Sequence, residues 1–124
     1  MKLPVPVERM EQYRETARMR RHERENCLKY RRDRALEIAA EAATILRQYF
    51  SVERIVLFGS LVSPDGFHWR SDIDLVVWGL AERDHYRAVA RLLELDHEIS
   101  VDIIRAEAAK ASLLERIARE GMPL

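Results

Sequence analysis

The sequence predicts a small α/β (or α+β) domain whose β-sheet is covered by helices, with a long helical extension at its N-terminus. Residues 7 to 50 contain neither Gly nor Pro and are rich in Ala, Glu, Arg and Leu, which favours helix. Three short apolar runs with β-branched residues follow, and helical patterns lie between and after them. The 124 residues, 48% of them hydrophobic and 34% charged, fit one small globular domain.

The first element is expected to be helical from near Val7 to about Phe50, as one long helix or as two with a break. In residues 35–50 the apolar side chains recur three and four positions apart, which is the pattern of a helix face that packs on a sheet. Ser51 is expected to end this helix. Residues 14–34 are highly charged and have few apolar positions. We therefore divide the chain into a basic helical extension, 1–34, and a compact domain, 35–124.

The later elements are short and are separated by clear stop signals. Gly59-Ser60 ends the first apolar run, the SPDG sequence at 63–66 is a strong turn signal, and Gly79 closes the second run. Gly121 is expected to cap the last helix, with Pro123 as a stop beyond it. In chain order the predicted elements are strands at 54–58 and 73–78, a helix at 82–96, a strand at 99–105 and a helix at 107–119.

Composition narrows the class of protein. The single cysteine, Cys27, excludes an intrachain disulfide and fits a reducing, cytoplasmic environment. No apolar run approaches the roughly 18 to 20 residues of a membrane span, and the N-terminal sequence lacks the apolar segment of a signal peptide. The four histidines lack the close spacing of a zinc site. We therefore expect a cytoplasmic protein without a membrane segment or structural zinc.

The net charge of zero conceals a basic arm and an acidic body. Residues 14–34 hold nine Lys/Arg against four Asp/Glu, a net charge of +5, so the rest of the chain carries −5. The arm is either a solvated helix with pairs such as Glu25 to Lys29, or a helix that binds a protein partner or a second copy of the chain. Nucleic-acid binding is the least favoured interpretation, because the acids dilute the basic charge.

Three aspartates stand out in the compact domain. Asp72 and Asp74 are separated by one residue at the start of the second apolar run, so their side chains project from the same face of the strand. Asp102 lies within the third run. Each could have a local role, such as an Asx turn at Asp72 or a salt bridge from Arg70 or Arg54 to Asp74. Taken together with Gly59-Ser60, however, the three acids predict a site for a cation, because clustered carboxylates are costly to bury without one.

The chemistry of such a group suits Mg²⁺ and a nucleotide. Mg²⁺ takes a few carboxylate oxygens together with waters and phosphates, and two such ions can act on both oxygens of an in-line displacement. Asp72 and Asp74 would hold both ions, and Asp102 would ligate one of them and accept the proton of the attacking hydroxyl. Gly59 allows close approach to a phosphate, and Ser60 supplies a hydroxyl and a backbone N–H.

This pattern resembles the nucleotidyltransferase superfamily named after DNA polymerase beta, and specifically its stand-alone minimal nucleotidyltransferases. The matching residues are an apolar residue before Gly-Ser, then Asp-x-Asp, then a third Asp on a later strand. Here they are Phe58, Gly59, Ser60, Asp72, Asp74 and Asp102. Ser71 matches the Ser of an S-D-x-D pattern, and the resemblance covers roughly residues 35–124.

The resemblance implies a mixed sheet flanked by helices, the nucleotidyltransferase fold. It implies a transferase that uses two Mg²⁺ ions to move an NMP group, with ATP favoured, from an NTP to a hydroxyl. Small members of the family are commonly paired with a separate HEPN-domain toxin, for which they act as antitoxin, in some cases by AMPylation of a toxin tyrosine. A HEPN-type partner is therefore expected as a separate chain.

The sequence also departs from the family pattern. Leu61 stands where many relatives carry an Arg that could contact the triphosphate, and the spacer before Asp72 is about one residue longer. Arg70 and Arg54 are candidate phosphate contacts, or they neutralise the acids. The segment from Phe67 to Trp69 either stacks on a base or packs against the sheet. Two other functions stay open: a weakly catalytic antitoxin that masks its partner sterically, and a transferase acting on a small molecule.

Overall fold

A computed structural model describes residues 7–63 and 66–124, which form a four-stranded sheet with helices on both faces. The helices are α1 (Val7–Phe50), α2 (His85–Leu93) and α3 (Ala111–Glu120), and the strands are β1 (Arg54–Phe58), β2 (Ile73–Trp78), β3 (Val101–Arg105) and β4 (Met122–Pro123). Short 3₁₀ turns occupy Gly59–Leu61, Glu82–Asp84 and Ala106–Ala108.

The first three predicted elements agree closely with the structure. α1 is one unbroken helix, so the alternative with a break is not adopted. It ends where Ser51 adopts a φ of 55°, the left-handed conformation that turns the chain out of a helix. β1 and β2 have the predicted bounds. The predicted turn after β1 is closed by the Gly66 N–H, which donates to the Ser63 carbonyl (3.1 Å), while Pro64 and Asp65 lie outside the described residues.

The predicted boundaries of the last three elements were partly wrong. The predicted helix at 82–96 begins as a 3₁₀ turn and continues as α2 only to Leu93. The predicted strand at 99–105 begins at Val101. The predicted helix at 107–119 begins at Ala111, because a 3₁₀ turn and an extended residue, Ala109, come first. Apolar spacing does not distinguish a 3₁₀ turn from the first turn of an α-helix, so sequence alone placed these starts too early.

The C-terminal segment agrees with the prediction in part. Gly121 is the C-cap of α3, as predicted, and its N–H donates to the Ile117 carbonyl (2.7 Å), but its backbone is extended (φ −74°) rather than left-handed. Glycine is needed for space, since a Cβ there would lie 2.4 Å from Val56 Cγ1 and 2.6 Å from the Ile117 carbonyl oxygen. Pro123 does not merely stop the helix: it lies in β4, which the sequence analysis missed and which pairs with β1.

The sheet is mixed, in the order β3-β2-β1-β4. β1 is antiparallel to both β2 and β4, whereas β2 and β3 are parallel and are joined through α2. Helices cover both faces. α1 and α2 pack on the face formed by residues such as Leu57, Leu75 and Ile103, and α3 packs on the opposite face, against Val56 and Val76.

α1 has two parts that differ in burial. From Ala35 to Leu46 it contributes six buried residues to the core. Residues 7–27 are all exposed, and Leu28 is the first residue that packs against the core. The helix continues straight through the predicted boundary at residue 34, and Arg31, Arg32 and Arg34 contact the compact domain. No helix in the described parts of the chain is long and apolar enough to cross a membrane.

Candidate functional site

The strand register brings two of the three aspartates together. Asp74 on β2 pairs with Asp102 on β3, and on its other side Asp74 pairs with Phe58, the last residue of β1. Neighbouring strands lie about 4.8 Å apart, so side chains of register partners on one face are adjacent. Asp72 directly precedes β2 and is close enough for its charge to act on Asp74. Asp74 and Asp102 therefore lie on the face covered by α3, at the end of the sheet where β1 leads into the Gly-Ser turn.

Asp74 is the electrostatic centre of this group. It is half-buried, and burial raises the pKa of its carboxyl, with further raising by the negative charges of Asp102 and Asp72. Asp72 and Asp102 are exposed. Among the described residues none of the three carboxylates takes part in an ion pair. In the described parts of the chain, these negative charges are therefore not neutralised by direct ion pairs.

The donor set fits Mg²⁺, although the side chains do not form a closed cage. Within residues 7–63 and 66–124 no three acidic, imidazole or thiol side chains converge on a single metal position. Mg²⁺ does not require such a cage, because it retains several waters and takes only one or two carboxylates plus substrate phosphates. Hard carboxylate oxygens that take part in no described ion pair, with the pKa of Asp74 raised by burial and by the neighbouring negative charges, match that demand.

The backbone at Gly59 lies in close contact with the Asp74 carboxylate. Its φ is +82°, which favours glycine, and a Cβ built there would lie 2.6 Å from Asp74 Oδ2. Any side chain at residue 59 would therefore push the carboxylate from its position. Two independent constraints, the backbone conformation and the contact with Asp74, thus require glycine at the Gly-Ser turn.

Leu61, which departs from the family pattern, has a packing role in the structure. Ser60 is half-buried, and Leu61 is only 1% exposed because its side chain packs in the core with α1. The Leu61 carbonyl accepts a hydrogen bond from Arg32 Nη2 (3.3 Å). Leu61 therefore has a packing role, and a basic side chain reaches this turn from α1. Sequence reasoning missed Arg32, because a contact across 29 positions leaves no local pattern.

The segment before β2 forms a compact turn. The His68 N–H donates to Ser71 Oγ (3.0 Å), and the Ser71 N–H donates to the His68 carbonyl (3.0 Å). Ser71 is buried, so its hydroxyl oxygen shapes the turn that leads into Asp72, while Arg70 next to it is exposed. Phe67 packs in the core, as one of the two interpretations predicted, and Trp69 is 51% exposed.

Arg54 is too far away to contact the predicted site. It pairs with Trp78 at the opposite end of β1, where its guanidinium lies 4.4 Å from the indole centroid. Four residues separate it from Phe58, which is about 13 Å of strand. The suggestion that Arg54 contacts phosphates or neutralises Asp74 was therefore wrong.

A cleft of about 480 Å³ opens beside Gly59, between the Gly-Ser turn and α3. Its lining residues are Phe58, Gly59, Val62, Ser63, Arg116, Ile117 and Glu120. Phe58 and Asp74 are register partners, so the cleft lies on the same face of the sheet as the carboxylates. Arg116, whose Nε lies 3.9 Å from Glu120 Oε2, is the basic residue of this cleft. Sequence reasoning missed it because Arg116 and Glu120 have the spacing of an ordinary surface pair.

The protein has the nucleotidyltransferase fold, in which a mixed sheet has helices on both faces and carboxylates lie at the ends of neighbouring strands beside a Gly-Ser turn. The profile of the family described as polymerase beta, nucleotidyltransferase, matches residues 40–124. The chain therefore belongs to the polymerase beta nucleotidyltransferase family. No sequence among curated proteins matches it significantly.

Solved structures with this fold include toxin–antitoxin complexes. A toxin–antitoxin structure with AMP-PNP gives a TM-score of 0.56 at 24% identity, covering 65% of this chain and 67% of that chain. The tri-AMPylated HEPN toxin of Shewanella oneidensis in complex with its MNT antitoxin gives 0.54 at 20%, covering 72% and 70%. The MntA–HepT pair gives 0.53 at 20%, covering 71% and 69%. At these identities the likeness establishes the fold.

Proposed function

We propose that this protein is a Mg²⁺-dependent nucleotidyltransferase that moves an NMP group, AMP from ATP, onto a hydroxyl of a HEPN-type protein partner, and so acts as an antitoxin. The observation that carries the proposal is the register pairing of Asp74 with Asp102, beside a glycine with no room for a Cβ. Three carboxylates that no described ion pair neutralises are of little use to a module that only binds a partner. They suit a site that receives cations and phosphates.

The residues of the site would divide the chemistry between them. Asp72 and Asp74 would hold two Mg²⁺ ions and Asp102 would hold one of them. When bound, Mg²⁺ polarises the phosphate oxygens and offsets the charge that develops during transfer. Asp102, which is exposed, accepts the proton of the acceptor hydroxyl, whose oxygen attacks the α-phosphorus. The bond from the α-phosphorus to the bridging oxygen breaks, and pyrophosphate leaves.

The nucleotide would occupy the cleft beside the Gly-Ser turn. Gly59 and Arg116 line this cleft, so Gly59 would allow the triphosphate to approach the backbone and Arg116 would supply a positive charge from the α3 side. Ser60, next to Gly59 in the turn, would offer its hydroxyl. Arg70 is exposed in the turn before Asp72 and would contact the nucleotide from there, whereas Ser71, which is buried, would contribute by fixing that turn.

The choice of acceptor rests on the solved relatives with this fold. One of them holds an AMPylated HEPN toxin and another holds AMP-PNP. We therefore propose a protein acceptor rather than a small molecule. Incubation of the chain with its HEPN-type partner, α-labelled ATP and Mg²⁺ tests the proposal. Label on the partner supports it, and absence of label with each of the four NTPs contradicts it.

Steric masking of the partner is the second candidate function, and the α1 side of the molecule favours it. A groove of about 650 Å³ lies there, and its lining includes Tyr30, Arg31 and Trp69, with Tyr30 and Trp69 well exposed. The exposed half of α1, residues 7–27, extends beyond it and offers a surface to a protein partner or to a second copy of the chain. A stable complex with the partner that forms equally well with Asp72→Asn/Asp74→Asn, without any label transfer, would favour masking.

A further inference from the structure

The Gly-Ser turn has little structure of its own to hold it in place. Gly59–Leu61 is a single 3₁₀ turn, closed by one backbone hydrogen bond from the Val62 N–H to the Gly59 carbonyl (3.3 Å). Such short turns have poorer hydrogen-bond geometry than an α-helix. A turn that must present backbone and hydroxyl groups to a phosphate therefore depends on contacts from neighbouring elements.

Arg32 of α1 supplies such a contact. Its Nη2 donates to the Leu61 carbonyl at 3.3 Å, across 29 positions of sequence, in a partly buried environment. Its Nε is buried and has no hydrogen-bond partner among the described residues, and no ion pair there neutralises its charge. The Leu61 side chain is apolar and buried, and Arg32 brings a basic group into direct contact with this turn.

We infer that Arg32 is a positioning residue for nucleotide binding, which fixes the Gly59–Leu61 turn through the Leu61 carbonyl and places a positive charge behind the turn that receives the phosphates. The inference rests on the proposed function and deepens it. It assigns a role at the site to a residue of the basic segment, which the sequence analysis treated as a separate extension.

Arg31 provides a matched control on the same helix. Its Nη2 also donates to a backbone carbonyl, that of Glu98, at 3.2 Å, and its Nε is also buried without a partner among the described residues. It additionally lies 3.8 Å from the Glu98 carboxylate. Arg31→Ala therefore removes at least as many contacts as Arg32→Ala, but none at the Gly-Ser turn. A purely structural role for Arg32 predicts the same phenotype for both variants.

The test is calorimetric binding of AMP-PNP with Mg²⁺ to the full chain, together with the thermal midpoint of each variant. We expect Arg32→Ala to weaken binding about tenfold, the equivalent of one lost charge-assisted contact. We expect Arg32→Lys to stay within about threefold of wild type, because it keeps a charge and a donor. Arg31→Ala should bind as wild type does, while its midpoint falls as much as that of Arg32→Ala.

Two results would overturn the inference alone: unchanged AMP-PNP affinity in Arg32→Ala, or an equal loss of affinity in Arg31→Ala. A wild-type chain that binds no AMP-PNP with Mg²⁺ would instead overturn the proposed function on which the inference rests. If affinity is lost in Arg32→Ala and is not restored by Arg32→Lys, the turn needs the planar guanidinium, and the part of the inference that concerns charge is contradicted.

Discussion

Gly59 and Gly79 lie at opposite ends of the sheet. Alanine variants at the two positions separate the effect on the candidate site, which only Gly59 contacts, from the cost of backbone strain, which both share. Gly59 and Gly79 both have positive φ, +82° and +91°. Alanine in a left-handed conformation costs about 1–2 kcal/mol. Gly59→Ala and Gly79→Ala should therefore each lower the free energy of unfolding by that amount. For a domain of this size, 1 kcal/mol shifts the thermal midpoint by about 4 °C, so we expect a fall of about 4–8 °C in each variant.

The two variants should differ in what the new Cβ touches. At residue 59 it would lie 2.6 Å from Asp74 Oδ2, and the carboxylate can rotate away at little cost to stability. That rotation removes Asp74 from its place beside Asp102. At residue 79 the Cβ would lie 3.0 Å from Glu53 Cγ and 3.2 Å from the Glu53 backbone nitrogen, far from the site, so Gly79→Ala should lose at least as much stability as Gly59→Ala. We therefore expect Gly59→Ala to lose Mg²⁺-dependent nucleotide binding and Gly79→Ala to keep it.

Differential scanning calorimetry and titration of AMP-PNP with Mg²⁺ measure both effects on the same samples. We expect Gly79→Ala to melt no higher than Gly59→Ala and yet to keep the nucleotide affinity that Gly59→Ala loses. It would be refuted by a Gly59→Ala variant that binds nucleotide as the wild type does, or by an equal loss of binding in Gly79→Ala.

Three further predictions concern charge and domain organisation. Without metal, Asp74→Asn should melt at a higher temperature than wild type, because the raised pKa of Asp74 means that its ionised carboxylate destabilises the folded state. This advantage should shrink as pH falls through the folded-state pKa, where Asp74 becomes protonated. Mg²⁺ should raise the melting temperature of wild type only. Deleting residues 1–24 should leave the melting temperature nearly unchanged, whereas deleting residues 1–34 should lower it, because the core contact of Leu28 is lost. Equal melting temperatures for the two deletions would contradict the assigned contacts. Arg54→Ala loses its contact with Trp78, worth about 0.5–1 kcal/mol, and should not change nucleotide affinity.

The parts of the fold that were predicted have local causes. β1 and β2 are continuous apolar, β-branched runs, and α1 lacks any residue that breaks a helix. The three aspartates were grouped from their positions at or within strands, and the parallel register of β2 and β3 pairs two of them. Alternation along a strand is a property of the backbone, so it can be read from sequence without knowledge of the tertiary structure.

The parts that were missed depend on tertiary contacts. β4 has only two residues and exists because Gly121 lets the chain return closely past Val56. The burial of Leu61 and its bond to Arg32 require α1 to lie across the Gly-Ser turn. Arg116 belongs to the cleft only because α3 packs on the carboxylate face of the sheet. None of these relations has a period or a spacing that a single sequence displays.

Transfer to the partner tests the central claim most directly. The intact mass of the HEPN-type protein is measured before and after incubation with the chain, ATP and Mg²⁺, and again with Asp72→Asn/Asp74→Asn as the matched control. The account predicts a mass increase of one or more AMP groups with wild type and none with the double variant. An unchanged mass with wild type, or the same increase with the double variant, would contradict it.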